Sequence, residues 1–178
     1  MRQLSKLASR TRPVRPARPV QGLFGAARYP DMSFRLLAQA SLGLGGLILM
    51  GMGGYFAFLR PPLLPEDLRY AGASLAQIQS AMPGFLPWVS RVFGVLGGYM
   101  FATGLLTAYL AAASFRDTKP LPAAVVAISG SAAIGWMAVT NFLIDSDYKW
   151  LLLAFVLPWL IAVVASLVAD MRAFKARS

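Results

Sequence analysis

Glu66 and Asp67 share one polar stretch of the chain with Arg60 and Arg69, and Asp145, Asp147 and Lys149 share another; Arg91 completes the set. Hard cations prefer carboxylate oxygens, so Asp145, Asp147 and Glu66 together could hold a divalent ion or run acid–base chemistry. A second reading competes. Asp145-Ser146-Asp147 immediately precedes an apolar block, where aspartate caps open amides and meets the positive end of a helix dipole. Arg60, Arg69, Arg91 and Lys149 match the acids in number, so ion pairing and capping is the stronger reading. No catalytic residue, metal or cofactor is therefore assigned. The chain has no cysteine and no histidine. That removes disulfides, thiol nucleophiles, Ser-His-Asp triads, His-ligated haem and the usual zinc sites.

A different chemistry is offered by large rings with polar tips. Counted at about 1.5 Å per residue, Tyr99, Trp136 and Trp159 fall about 12–15 Å down their apolar blocks, level with Met50. Such a layer could floor a cavity for a lipid tail, a quinone or another apolar ligand, with Asn141 as a polar contact. Aromatic rings at that depth also serve as core filling with a satisfied hydrogen bond, which is the plainer expectation. None of the apolar blocks carries an acid or a lysine, and Arg91 is the one basic residue inside any of them. Proton-coupled carriers place ionisable groups near the middle of the membrane. A carrier of that kind working alone is disfavoured.

The elements that must position these residues follow from composition. Of 178 residues, 57% are hydrophobic and 13% charged, where a soluble domain carries about 25% charged residues. A helix crosses the hydrocarbon core with about 20 apolar residues, and four blocks qualify: 36–59, 89–114, 121–144 and 150–169. They do not alternate polar and apolar as barrel strands do. The expected fold is an all-α integral membrane four-helix bundle, occupying residues 34–170. Short connections at 116–120 and 145–149 predict antiparallel contact among the last three spans.

Lys and Arg set the orientation. Arg2, Lys6, Arg10, Arg12, Arg15, Arg18, Arg28 and Arg35 share one side with Arg116, Lys119, Arg172, Lys175 and Arg177, and only Arg60, Arg69, Arg91 and Lys149 lie opposite. Both termini are expected in the cytoplasm of a bacterium, with the spans in its inner membrane. Tyr55, Phe56, Phe58, Trp88, Tyr148 and Trp150 then form an outer aromatic belt.

The outer loop 60–88 predicts two short amphipathic helices, one starting at Pro65-Glu66-Asp67 and one capped by Ser74-Leu-Ala-Gln77. They read as a connector covering helix ends, or as a lid. Residues 1–33 form a basic arm, expected to be disordered, in which Arg12-Pro13, Arg15-Pro16 and Arg18-Pro19 repeat every third residue. This arm suits contact with anionic lipid rather than nucleic acid, since no folded reading element accompanies the charge. It also resembles a mitochondrial presequence, which makes a mitochondrial inner membrane the alternative location. Residues 171–178 form a short basic tail.

Small residues at three- and four-residue spacing mark where helices approach closely in lipid. Gly43, Gly46 and Gly54 do so on the first span, Gly94, Gly97, Gly98 and Gly104 on the second, and Ser131 and Gly135 on the third. On the fourth, Pro158 predicts a kink among alanines. The same stripes suit a seam with another membrane protein or a second copy.

The runs Leu64-Pro-Glu-Asp-Leu-Arg-Tyr70, Leu96-Gly-Gly-Tyr-Met-Phe-Ala-Thr-Gly-Leu105 and Asn141-Phe-Leu-Ile-Asp-Ser-Asp-Tyr-Lys-Trp150 resemble small bacterial four-helix inner-membrane proteins. The layout over residues 34–170, a long first outer loop followed by three tightly connected helices, is similar to DoxX-like membrane proteins. That resemblance implies a redox-linked or accessory role and carries no catalytic residue across. The leading expectation is a non-enzymatic accessory or interaction subunit of the membrane. The alternative is a binder or carrier of a small apolar or lipidic ligand, using the aromatic layer.

Overall fold

The computed structural model describes residues 30–117 and 123–175. The basic arm up to residue 29, the 118–122 connection and residues 176–178 lie outside the described residues, and with them the expected lipid contact of the arm. The described residues are helical without strands, and four helices are long and apolar enough to cross a membrane.

Helix α1 spans Pro30–Phe58 and α4 spans Phe85–Asp117. The third apolar block is α5 (Ala123–Gly130), a π-helical turn (Ser131–Gly135) and α6 (Trp136–Leu143) in succession. The fourth is α7 (Lys149–Ala154) followed by α8 (Leu157–Lys175). The helices run past the apolar blocks because polar first and last turns continue the backbone pattern. Thus α8 carries on through Arg172, whose guanidinium lies 4.3 Å from the Phe34 ring centroid, so most of the expected basic tail is helix.

Between α1 and α4 lie α2 (Pro65–Ala71) and α3 (Leu75–Ala81). Proline opens α2, and Asp67 turns back to accept the Leu64 N–H at 2.8 Å. Gly72 ends it with φ +65°, a conformation glycine adopts without a Cβ penalty. Ser74 and Gln77 cap α3 reciprocally: Ser74 N–H donates to Gln77 Oε1 at 2.8 Å, and Gln77 N–H donates to Ser74 Oγ at 3.3 Å. Of the apolar trio Leu75, Ile78 and Met82, only Ile78 is buried.

Helix α1 is the hub. It packs antiparallel against α4 on one side and α8 on the other, and α5 packs on α8. The second and third spans share no extensive contact among the described residues, contrary to the antiparallel trio expected from the short connections. A short connection limits how far apart two helix ends lie. Which faces then mate depends on where backbone can approach backbone, and α1 offers α4 glycine at the right places. A Cβ on Gly46 would sit 2.8 Å from Gly104 O, one on Gly104 would sit 2.6 Å from Met50 N, and one on Gly97 would sit 2.5 Å from Ala57 N. Gly53 completes this seam opposite Gly97. Gly43 only touches Ala111, and Gly54, Gly94 and Gly98 face open space.

On the third span the buried face is Val126, Gly130, Ile134 and Ala138, one residue away from the expected stripe; Ser131 is exposed and Gly135 half-buried. Strict four-residue spacing drifts around a 3.6-residue helix, and the wider π turn at 131–135 takes up that drift. The fourth span breaks at Phe155–Val156, just ahead of Pro158, which has no N–H to return to Ala154. Beyond the break α8 lies along α1, whereas α7 makes no comparable contact with it.

Candidate functional site

Where α7 diverges from α1, a cavity of about 550 Å³ remains. One wall is α1, through Ile48, Gly51, Met52, Tyr55 and Phe56; the other is α6 and α7, through Met137, Asn141, Leu151, Leu152 and Phe155. Arg60, Leu64, Glu66, Asp67, Ser146 and Tyr148 close its polar end. A Cβ on Gly51 would meet nothing within 4 Å, so this glycine leaves open space rather than a helix contact.

The polar end is built by caps. Asp145 takes φ 50° at the end of the third span, a left-handed conformation that aspartate tolerates better than most residues. Ser146 N–H then returns to Asn141 O at 2.9 Å, which closes the helix end and turns the Ser146 side chain inward. Ser146 Oγ donates to Glu66 Oε1 at 3.2 Å and accepts the Tyr148 N–H at 3.2 Å. Glu66 and Ser146 are each 2% exposed. This buried bond fastens α2 to the turn between the third and fourth spans, some eighty residues away in sequence.

The other acids are held by cations. Arg60 reaches Asp67 at 2.9 Å, donates to the Pro61 and Pro62 carbonyls, and lies 3.7 Å from the centroid of the Phe93 ring. Arg69 pairs with Asp147 at 2.7 Å and also donates to Asp145 O. Lys149 pairs with Asp145. The hydrogen bond and charge of Lys149 hold the Asp145 carboxyl below its ordinary value, and the hydrogen bond to Asp147 raises Arg69. Arg91 is exposed on α4 and joins none of these pairs.

Asp145, Asp147 and Glu66 therefore do not converge, each being turned to a different partner. Among the described residues no three acidic side chains form a group able to hold a metal ion. Nor do Asp145 and Asp147 cap α7, whose N-cap residue is Tyr148 with no side-chain hydrogen bond. Lys149 and Arg69 offer both carboxylates a full positive charge, which outcompetes open amides.

The expected aromatic layer is not assembled. Tyr99 is 71% and Trp136 66% exposed on outward faces, while Trp159 is 3% exposed. The Trp159 indole lies between Gly45 and Gly130, where added Cβ atoms would come within 2.7 and 2.6 Å of it. It is a packing wedge between α1 and α5, and its Nε1–H has no hydrogen-bond partner among the described residues. Equal depth along a helix does not bring rings together, because rotation about the axis decides which face each occupies. Of the four residues expected to meet a ligand, only Asn141 lines the cavity, with its Nδ2 donating to Met137 O at 2.9 Å.

Sequence reasoning passed over Gly51, Tyr55, Phe56, Met137 and Ser146 as site residues. A signal was present for two of them. Gly51 falls off the Gly46–Gly53 seam with Ile48 and Tyr55 at helical spacing around it, and Ser146 is the one neutral residue between two acids. Against protein-family models, curated proteins and solved structures, the chain has no match.

Proposed function

We propose that the protein is a membrane-embedded binder of a small amphipathic or lipidic molecule, held in the cavity between α1, α6 and α7. The observation that carries this reading is the cavity itself, with apolar walls and the buried Glu66–Ser146 pair at one end. Small-molecule sites are concave, mostly apolar and furnished with a few placed polar groups, within about 300–1,000 Å³. The sequence suggested an apolar ligand on the Tyr99–Trp136–Trp159 layer; the ligand proposed here lies against the Asn141 wall instead.

In this reading the four spans cross a bacterial inner membrane as a helix bundle with both termini in the cytoplasm. Helices α2 and α3 lie at the outer interface, and α2 lids the cavity. The basic arm lies against anionic cytoplasmic lipid.

The test is native mass spectrometry of the protein gently extracted from its own membrane. Wild type is expected to carry one extra small mass, and Gly51→Phe, which points a ring into open space, is expected to lose it while keeping its fold. A bare chain in both cases overturns the proposal.

A second reading, an accessory subunit, is favoured by the open Gly94-x-x-x-Gly98 pair on the outward side of α4. A second polypeptide at fixed stoichiometry, displaced by Gly98→Leu, is its expected signature. A wild-type spectrum with no second polypeptide removes it.

A further inference from the structure

We propose that the cavity selects a molecule with a cationic head, a protonated amine or a quaternary ammonium, seated against the Glu66 carboxylate. The inference rests on the cavity being a binding site, and it specifies what that site takes.

Charge accounting at the cavity's polar end leads to it. Asp67 has Arg60, Asp147 has Arg69 and Asp145 has Lys149. Glu66 is the remaining acid there and the most deeply buried of the four, yet its partner is a neutral hydroxyl. Among the described residues no cation lies within ion-pair distance of it. Arg69, three residues on in α2, attracts Glu66 only through space; it is about half exposed and spends its N–H groups on Asp147 and on the Asp145 carbonyl.

Arg60 also lines the cavity, but its guanidinium is committed to Asp67, to two carbonyls and to the Phe93 and Phe56 rings. The uncommitted charge facing the cavity is thus negative. A buried carboxylate without a cation in direct contact is expensive, and a ligand that brings one recovers that cost on binding. Tyr55, Phe56, Tyr148 and Phe155 add aromatic rings to the lining, and the negative faces of rings favour cations, quaternary ammonium included. An anionic head would meet Glu66 with repulsion. The apolar walls of Ile48, Met52, Leu151 and Leu152 then take the tail.

The experiment is isothermal titration of the full chain in phosphatidylglycerol nanodiscs, whose lipid carries no ammonium group, with empty nanodiscs subtracted. The probes are octyltrimethylammonium, octyl sulfate and octanol, which share a tail and differ in the head. Wild type is expected to bind the ammonium at least tenfold more tightly than either other probe. Glu66→Gln preserves shape and the Ser146 contact; it is expected to erase that preference and leave octanol unchanged.

Equal binding of all three probes, lost in Gly51→Phe, would overturn the cationic head and leave the cavity reading standing. A preference that persists in Glu66→Gln overturns the assignment to Glu66. No heat above empty nanodiscs with any probe overturns the cavity reading and this inference with it. The head-group comparison on wild type stands even if Glu66→Gln fails to fold.

Discussion

Replacing Gly97 by alanine, beside the same change at Gly98, measures the α1–α4 seam directly. The two glycines are neighbours in one helix, so the gain in helix propensity from alanine, up to about 1 kcal/mol, is common to both and cancels in the difference. What differs is space. A Cβ on Gly97 would lie 2.5 Å from Ala57 N and 2.6 Å from Gly53 O, both backbone atoms of α1. No flexible side chain stands there to move aside, so the two helices must separate along the seam. A Cβ on Gly98 meets nothing within 4 Å. Overpacking of a close contact costs about 1–3 kcal/mol, and backbone-on-backbone contact belongs at the upper end of that range. Gly97→Ala is therefore expected to be about 2–3 kcal/mol less stable than Gly98→Ala, roughly a 30- to 150-fold shift in the unfolding equilibrium. Reversible unfolding in mixed micelles, followed by tryptophan fluorescence, reads both variants against wild type. Two variants within a few tenths of a kcal/mol of each other would refute the seam, and with it the packing order that leaves the cavity open.

Trp159→Ala is expected to cost about 3–5 kcal/mol, as loss of a buried indole does, while Trp136→Ala stays within about 0.5 kcal/mol; comparable losses in thermal unfolding would contradict the wedge role of Trp159. Ser146→Ala leaves the Glu66 carboxylate and the Tyr148 N–H without their hydroxyl, and a cost of about 1–3 kcal/mol is expected. Unchanged stability in that variant would mean that α2 is fastened by its other contacts. The Asp145 carboxyl is depressed in the folded chain by Lys149, so its contribution to stability is present above the unfolded carboxylate value and is lost as pH falls through the depressed folded value. Wild type should therefore lose more stability on acidification below about pH 4 than Lys149→Met, whose Asp145 carboxylate keeps only the weaker through-space attraction of Arg69. Parallel melting-temperature profiles for the two proteins in that acid range would show that the pair contributes nothing.

Helix content, the number of apolar spans and the local caps were legible in the chain itself. These depend on runs of neighbouring residues: about 20 apolar side chains in a row, Pro65 ahead of two acids, Ser74 three residues before Gln77. Gly46, Gly97 and Gly104 were legible as places of close approach, because only backbone without a Cβ allows it. Gly54, Gly94 and Gly98 have the same spacing and the same chemistry, and nothing in a sequence separates a glycine that faces a helix from one that faces open space. The candidate site was legible only in pieces. Glu66 stood out as a helix-start acid and as a candidate cation ligand with Asp145 and Asp147, and Asn141 as a polar residue in a span; neither reading pointed to the Glu66–Ser146 bond.

By itself the sequence determined that this is a helical chain with four spans fit for a membrane, that its chemistry excludes thiol and imidazole, and that its acids and cations are matched at one end. Only the tertiary structure decided which pairs form. Three acids found cations and Glu66 found a serine, because α2 docks with one face toward the 144–149 turn and presents Arg69 to Asp147 on its exposed side. It also decided that Trp159 fills a gap while Tyr99 and Trp136 point outward. The rotation of a helix about its axis is set by the faces that mate, and that is a property of pairs of helices rather than of any one of them.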